Sequence, residues 1–241
     1  MKWKNRFAVL TTITLAMLFV MIPSALANSS SHHTALQLDP GNFVSYVNNP
    51  YFPLPSGTTF VYRGETEGVP TRDVVTVTGD TKQILGIMCT VVRDQAYEAG
   101  VLVEDTYDWY AQDIAGNVWY FGEDTKELDA SGNVISTEGS WEAGVNGAEP
   151  GIIMEAKPKK GDKYQQEYAA DVAEDMAQVI GFKDSICVRY GCFDNVLVTK
   201  EWSPLEHGVV ENKYYAKGVG LILGIMIKGG DERTELVRVR R

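Results

Sequence analysis

From residue 58 onward the chain is written in short runs rich in Val, Thr, Ile and Tyr, broken at intervals of about ten residues by glycine-containing turns. The runs are 58–63, 72–78, 83–93 and 101–112, then 185–192, 195–202, 210–216, 220–227 and 232–240. Even spacing with short turns joins antiparallel neighbours. It predicts a mainly β protein: an antiparallel meander of about nine to eleven strands with little helix, closing into a barrel or half-barrel. Residues 49–241 are expected to form this one domain. Two stretches depart from the pattern. Asp39-Pro40-Gly41-Asn42 offers a helix start, so 43–48 is expected as a short helix. Residues 168–180 carry Ala169, Ala170, Val172, Ala173, Met176 and Ala177, which allow a helix or, equally, strand and loop. Between them, the prolines of Asn49-Pro50-Tyr51-Phe52-Pro53-Leu54-Pro55 impose an extended lead-in.

Two turns share a spelling, Asp113-Ile-Ala-Gly116-Asn-Val118 and Asp129-Ala-Ser-Gly132-Asn-Val134. Their Asp and Asn oxygens suit calcium, but the alternating ligands and distal Glu of a helical calcium loop are missing. They read instead as hairpin loops in which the glycine takes the left-handed conformation. If Asp113 faces Asn117, one face of the hairpin pairs Ala111 with Trp119, Trp109 with Phe121 and Tyr107 with Glu123. The other pairs Gln112 with Val118, Tyr110 with Tyr120 and Asp108 with Gly122, with Glu104, Thr106 and Asp124 nearby. Large aromatics opposite one another belong in a core. The second face is therefore expected to be polar and acidic, the outer wall of the barrel.

That face, with Glu104, Asp108, Tyr110, Tyr120 and Asp124, is the best candidate ligand site. Carboxylates beside aromatic rings suit a sugar or a cation, and a carboxylate pair at the right separation would hydrolyse a glycoside. A calcium ion shared by Asp124 with Glu104 or Asp108 would be bound weakly, at about 0.1 to 1 mM, because water must complete its shell. No catalytic residue is assigned, and no structural metal site or other cofactor is indicated. The sequence lacks a G-x-S-x-G elbow, a P-loop and a dinucleotide-binding glycine motif. Its histidines are His32, His33 and His207, too few and too scattered for a structural zinc site. Glu142, Glu149, Glu155, Glu167 and Asp171 are expected to face solvent.

Lys2, Lys4 and Arg6 precede an apolar run from Phe7 to Ile22. Pro23 and the small residues Ala25-Leu26-Ala27 follow, with Asn28-Ser29-Ser30 after them. This is the pattern of a cleavable export signal over 1–27, with a Ser-rich disordered arm at 28–36. The apolar run is short for a retained membrane span, and no cysteine stands at the cleavage site to carry a lipid. The signal holds three basic and no acidic residues, so the rest of the chain sets 19 Lys and Arg against 32 Asp and Glu. Such an acidic chain repels phosphate backbones, and nucleic acid is not expected as a partner unless a basic patch is hidden. Outside the cytoplasm three cysteines allow one disulfide. Cys187 and Cys192 flank a turn at Tyr190-Gly191 and are expected to pair, leaving Cys89, in an apolar stretch, as a buried and inert thiol; pairing of Cys89 with either of the others remains open.

Several segments resemble those of a set of exported bacterial proteins with no assigned function. These are Asn49-Pro-Tyr-Phe-Pro-Leu54, Gly57-Thr-Thr-Phe-Val-Tyr62, Asp108-Trp-Tyr-Ala-Gln-Asp113 and Gly116-Asn-Val-Trp-Tyr-Phe-Gly-Glu123, followed by Gly139-Ser-Trp-Glu-Ala-Gly144, Tyr190-Gly-Cys-Phe-Asp-Asn-Val196 and Tyr214-Tyr-Ala-Lys-Gly-Val-Gly220. The resemblance spans nearly all of the chain after the signal and implies a single antiparallel β domain. The last two segments also look like parts of periplasmic half-barrels that hold apolar or lipidic ligands. No catalytic residue carries over, and the cysteine pair departs from the small residues commoner at those positions. The function expected is non-enzymatic binding outside the cytoplasm, of an apolar molecule in the barrel or of a cation or sugar on the acidic face. The alternatives are a secreted hydrolase using carboxylates near Glu104 and Asp108, and a structural envelope protein without a small ligand.

Overall fold

The computed structural model describes residues 38–241; the expected export signal, the expected Ser-rich arm and the His32-His33 pair lie outside the described residues. Thirteen strands follow one another in the main sheet. They are β1 (Thr59–Thr66), β2 (Val69–Ile84), β3 (Ile87–Glu98), β4 (Val101–Asp113), β5 (Val118–Leu128), β6 (Glu149–Met154), β7 (Lys163–Gln165), β8 (Glu167–Tyr168), β9 (Met176–Val188), β10 (Gly191–Trp202), β11 (Val210–Ala216), β12 (Gly220–Lys228) and β13 (Glu232–Arg240). In space the order is β7-β9-β10-β11-β12-β13-β1-β2-β3-β4-β5-β6-β8. Neighbouring strands pair antiparallel, and β13 returns to pair with β1, so both ends of the meander sit side by side. The two ends of the order, β7 and β8, are separated in the chain by Gln166 alone. The sheet therefore comes close to closing into a barrel through the chain itself. Gly151 of β6 makes that closure possible: a Cβ there would collide with the backbone of Gln165 and Gln166.

The expected fold class is the observed one, with more strands than anticipated. β6, β7 and β8 are too short to announce themselves by periodicity. The 168–180 segment is not helical. Glu167–Tyr168 is strand, Ala169 bridges Ala173, and β9 starts at Met176. The short helix expected at 43–48 is also corrected. Asp39 Oδ1 accepts from the Gly41 amide at 2.9 Å, but it caps only a single 3-10 turn, Pro40–Asn42. Phe43–Val44 then pairs with β4 instead, which satisfies its backbone groups in the sheet.

Both shared-spelling turns are hairpin loops. The Asp113 amide donates to the Asn117 carbonyl and the Asp129 amide to that of Asn133, with Gly116 and Gly132 at φ +95° and +84°. Each Asp side chain accepts from the Asn amide four residues on, at 2.9 Å, which helps close the loop. Cys187 and Cys192 are directly paired across β9 and β10 and form a disulfide, and Cys89 is a buried free thiol. Burial pushes that thiol up to about 12, so it is inert at neutral pH.

Candidate functional site

Strand register decides which side chains share a face, because partners directly opposite in a ladder point the same way. The register expected from the Asp113 loop holds for Gln112 with Val118, Ala111 with Trp119 and Tyr110 with Tyr120, and then slips by one residue. Asp108 pairs with Glu123 and Tyr107 with Asp124, so the expected pairs Trp109–Phe121, Tyr107–Glu123 and Asp108–Gly122 do not form. The cause is a bulge at Gly122, at φ +128°, where any Cβ would collide with the Trp141 carbonyl. One extra residue turns Glu123 to the Tyr120 side and sends Asp124 to the other face, where it pairs with Lys126 at 2.7 Å. A glycine inside a strand run is the sequence signal that marks such a bulge.

The assignment of faces is corrected as well. Asp108 is 2% exposed and Glu123 3%, and Tyr110, Tyr120 and Thr106 are as deeply buried. The acidic face points into the barrel. The aromatic face is outward but not bare. Phe43 packs edge-on against Trp119 and Phe121, at 6.2 and 5.8 Å between centroids, and the Lys82 ammonium lies 3.2 Å over the Trp109 ring. A separate strip of chain covers the aromatics, so burial of aromatics did not distinguish inside from outside.

Continuing the register across the neighbouring strands brings further acids to the same inner face. Tyr62 is opposite Asp73, Asp73 opposite Ala96, and Ala96 opposite Glu104. In the next row Val75 is opposite Asp94 and Asp94 opposite Thr106; in the row after, Val92 is opposite Asp108. Asp73, Asp94, Glu104, Asp108 and Glu123 thus form one inward-facing group across four strands. Of the expected site, Glu104, Asp108, Tyr110 and Tyr120 belong to it and Asp124 does not. Sequence reasoning missed Asp73, Asp94 and Glu123.

At the centre of the group the Tyr120 hydroxyl lies 2.6 Å from Asp108 Oδ1 and 2.8 Å from Glu123 Oε2. A phenol has one proton to give, so both contacts are satisfied when Asp108 is protonated and donates to Tyr120, which donates to Glu123. Burial, reinforced by the charges of Glu123 and Glu104, raises Asp108 to about 7, in keeping with that proton. Burial and Glu104 raise Asp73 to about 7, and burial with Asp73 and Asp108 raises Asp94 well above the usual range. Asp73 Oδ2, Asp94 Oδ1 and Glu123 Oε1 are buried without a hydrogen-bond partner. Aromatic rings form one wall: Tyr110 stacks on Tyr120 at 4.9 Å, Phe52 meets Tyr110 at 5.2 Å, and Trp141 meets Tyr120 edge-on at 5.5 Å. The Trp141 indole donates to Glu167 Oε2 at 2.8 Å, and Glu167, expected in solvent, is 1% exposed.

A second buried group lies on β10 and β11. Lys213 sits 2.8 Å from Glu201 and 3.6 Å from Glu211. Burial alone would raise Glu201, but the ammonium outweighs it and holds that carboxyl below its usual value; Glu211, farther off and also buried, is raised to about 7. This cluster neutralises itself and Asp108's cluster does not. His207 is exposed in the β10–β11 turn.

No protein-family model and no curated protein matches the chain. Two solved structures are similar to it. One is a Bacteroides fragilis protein described as exported and as having a YmcC-like fold, with a TM-score of 0.48 and 12% identity over 79% of this chain and 99% of that one. The other is a Parabacteroides distasonis protein described as a lipoprotein, with a TM-score of 0.45 and 13% identity over 80% of this chain and 99% of that one.

Proposed function

We propose that the protein is exported and acts as a binding protein whose ligand occupies the barrel interior against Asp108, Tyr110, Tyr120 and Glu123. Export rests on the basic, apolar and small-residue segments of 1–27. The observation that carries the binding reading is the set of buried, partnerless carboxylate oxygens on Asp73, Asp94 and Glu123, all on one inner face with the Tyr120 hydroxyl. A buried acceptor without a donor costs roughly 1–3 kcal/mol, and a ligand that donates there recovers it. Donors beside stacked aromatic rings describe a hydroxyl-rich or cationic molecule. A purely apolar ligand would leave those oxygens as they are, so the lipid reading is the weaker of the two.

Binding is favoured over hydrolysis by how the acids are held. Asp108 and Glu123 meet on the two sides of one phenol, which fills the space a scissile bond between a carboxylate pair would need. Native mass spectrometry of protein purified from its own host tests the reading. A polar ligand released on denaturation is the expected result, and a bare polypeptide mass at every gentle setting contradicts it.

A further inference from the structure

The outer face of β13, β1 and β2 is basic, on a chain whose formal net charge is −10. Six of its nine arginines meet there: Arg63, Arg72, Arg189, Arg233, Arg238 and Arg240. The register explains how. Arg63 is directly opposite Arg72 on one side and Glu235 on the other, and Val61 is opposite Val74 and Arg238. The β9–β10 hairpin adds Arg189, because the Tyr190 amide donates to the Leu236 carbonyl at 3.2 Å and the Arg189 guanidinium reaches Glu235 at 3.0 Å. Two adjoining depressions result, of about 430 and 540 Å³, and both are lined by Arg63, Arg72 and Arg189.

Like charges directly across a strand pair oppose folding, so Arg63 beside Arg72 calls for a compensating anion. Two carboxylates, Glu65 and Glu235, line the second depression, Glu65 directly opposite Arg233. Glu235 is taken by Arg189 and Arg233, and among the described residues Arg63, Arg72, Arg238 and Arg240 form no ion pair. Arg72 is held in place by the Tyr97 ring, 3.9 Å below its guanidinium, while its Nε is buried with no acceptor. Guanidinium forks converging on a concavity match the oxygens of a phosphate group better than they match a single carboxylate. The acidic body of the protein disfavours a long polyanion and leaves a compact phosphate-bearing group as the better fit. We propose that this depression is a binding site for a phosphate monoester or diester group, separate from the barrel interior and independent of what binds there.

The test uses calorimetric titration with inorganic phosphate at low salt and, in parallel, co-sedimentation with phosphatidylglycerol vesicles against phosphatidylcholine vesicles. Both are run on wild type, on Arg63→Gln/Arg238→Gln and on Lys228→Gln. Arg63, Arg238 and Lys228 are all exposed, so the substitutions leave the fold intact. Saturable binding of phosphate, or of phosphatidylglycerol alone, that weakens about tenfold or more in the arginine double variant and is unchanged in Lys228→Gln supports the site. The phosphate arm responding alone assigns a free phosphate compound, and the vesicle arm alone a lipid headgroup. Absence of binding in both arms, or binding that the arginine double variant leaves unchanged, overturns it.

Discussion

The Tyr120 hydroxyl stands between two buried carboxyl groups, 2.6 Å from Asp108 and 2.8 Å from Glu123. Only the Gly122 bulge brings the second acid to that side of the strand. Tyr120→Phe leaves both carboxyls facing each other with no donor between them. It is expected to lower stability by about 1–3 kcal/mol at pH 7.5 in urea melts. At pH 5 the loss should shrink, because a protonated Asp108 then donates to Glu123 directly.

Tyr110→Ala is expected to cost about 3–5 kcal/mol, since it removes a ring stacked on Tyr120 and met edge-on by Phe52. An outward Tyr110 would tolerate the change with little loss. The comparison with Lys126→Ala, on the outer face of β5 and more than a third exposed, gives the scale, and that variant is expected to shift the denaturation midpoint only marginally.

Stability should fall as pH rises through neutrality. Asp73, Asp108 and Glu211 hold their protons to about 7 in the folded chain and Glu232 to about 8, all chiefly through burial, whereas unfolded carboxyls release theirs at about 4. Between those values the folded state binds more protons than the unfolded one, so the unfolding free energy decreases with pH. The contribution is complete below about pH 4 and is lost as pH rises through about 7 for Asp73, Asp108 and Glu211 and through about 8 for Glu232. Thermal melts across this range should show the decline, and Asp108→Asn, which keeps the neutral form, should flatten it.

The Cys187–Cys192 bridge closes a short hairpin, and its removal in Cys187→Ser/Cys192→Ser is expected to cost about 2 kcal/mol. The same hairpin carries Arg189 over β13, so phosphate binding at the outer arginines should weaken in that variant as well. Non-reducing peptide mapping of protein purified from its own host checks the bridge, and N-terminal sequencing of the same sample is expected to begin at Asn28.

Most strand content from β1 to β4 and from β10 to β13 is legible because alternation and turn chemistry are local properties of the chain, but the runs expected at 83–93 and 185–192 each cross a turn, at Leu85-Gly86 and Arg189-Tyr190. The Asp113 loop is legible too, down to the pairing of Tyr110 with Tyr120. The slip after Tyr120 is marked by Gly122 but not fixed by it, because a single glycine in a strand does not say which way the extra residue turns. Inside and outside are not distinguishable in the sequence for a different reason. Burial of Trp109 and Phe121 depends on Lys82 and Phe43, which reach them from distant parts of the sequence, and the inner acids are recruited row by row from β2 to β5. Neither relation is visible within one hairpin.

The most direct measurement is a crystal structure of the protein purified from its own host. Ordered, non-protein density is expected inside the barrel within hydrogen-bonding distance of Tyr120 Oη and the partnerless oxygens of Asp73 and Glu123. An interior filled entirely by the protein's own side chains, with those oxygens paired to one another, would contradict it.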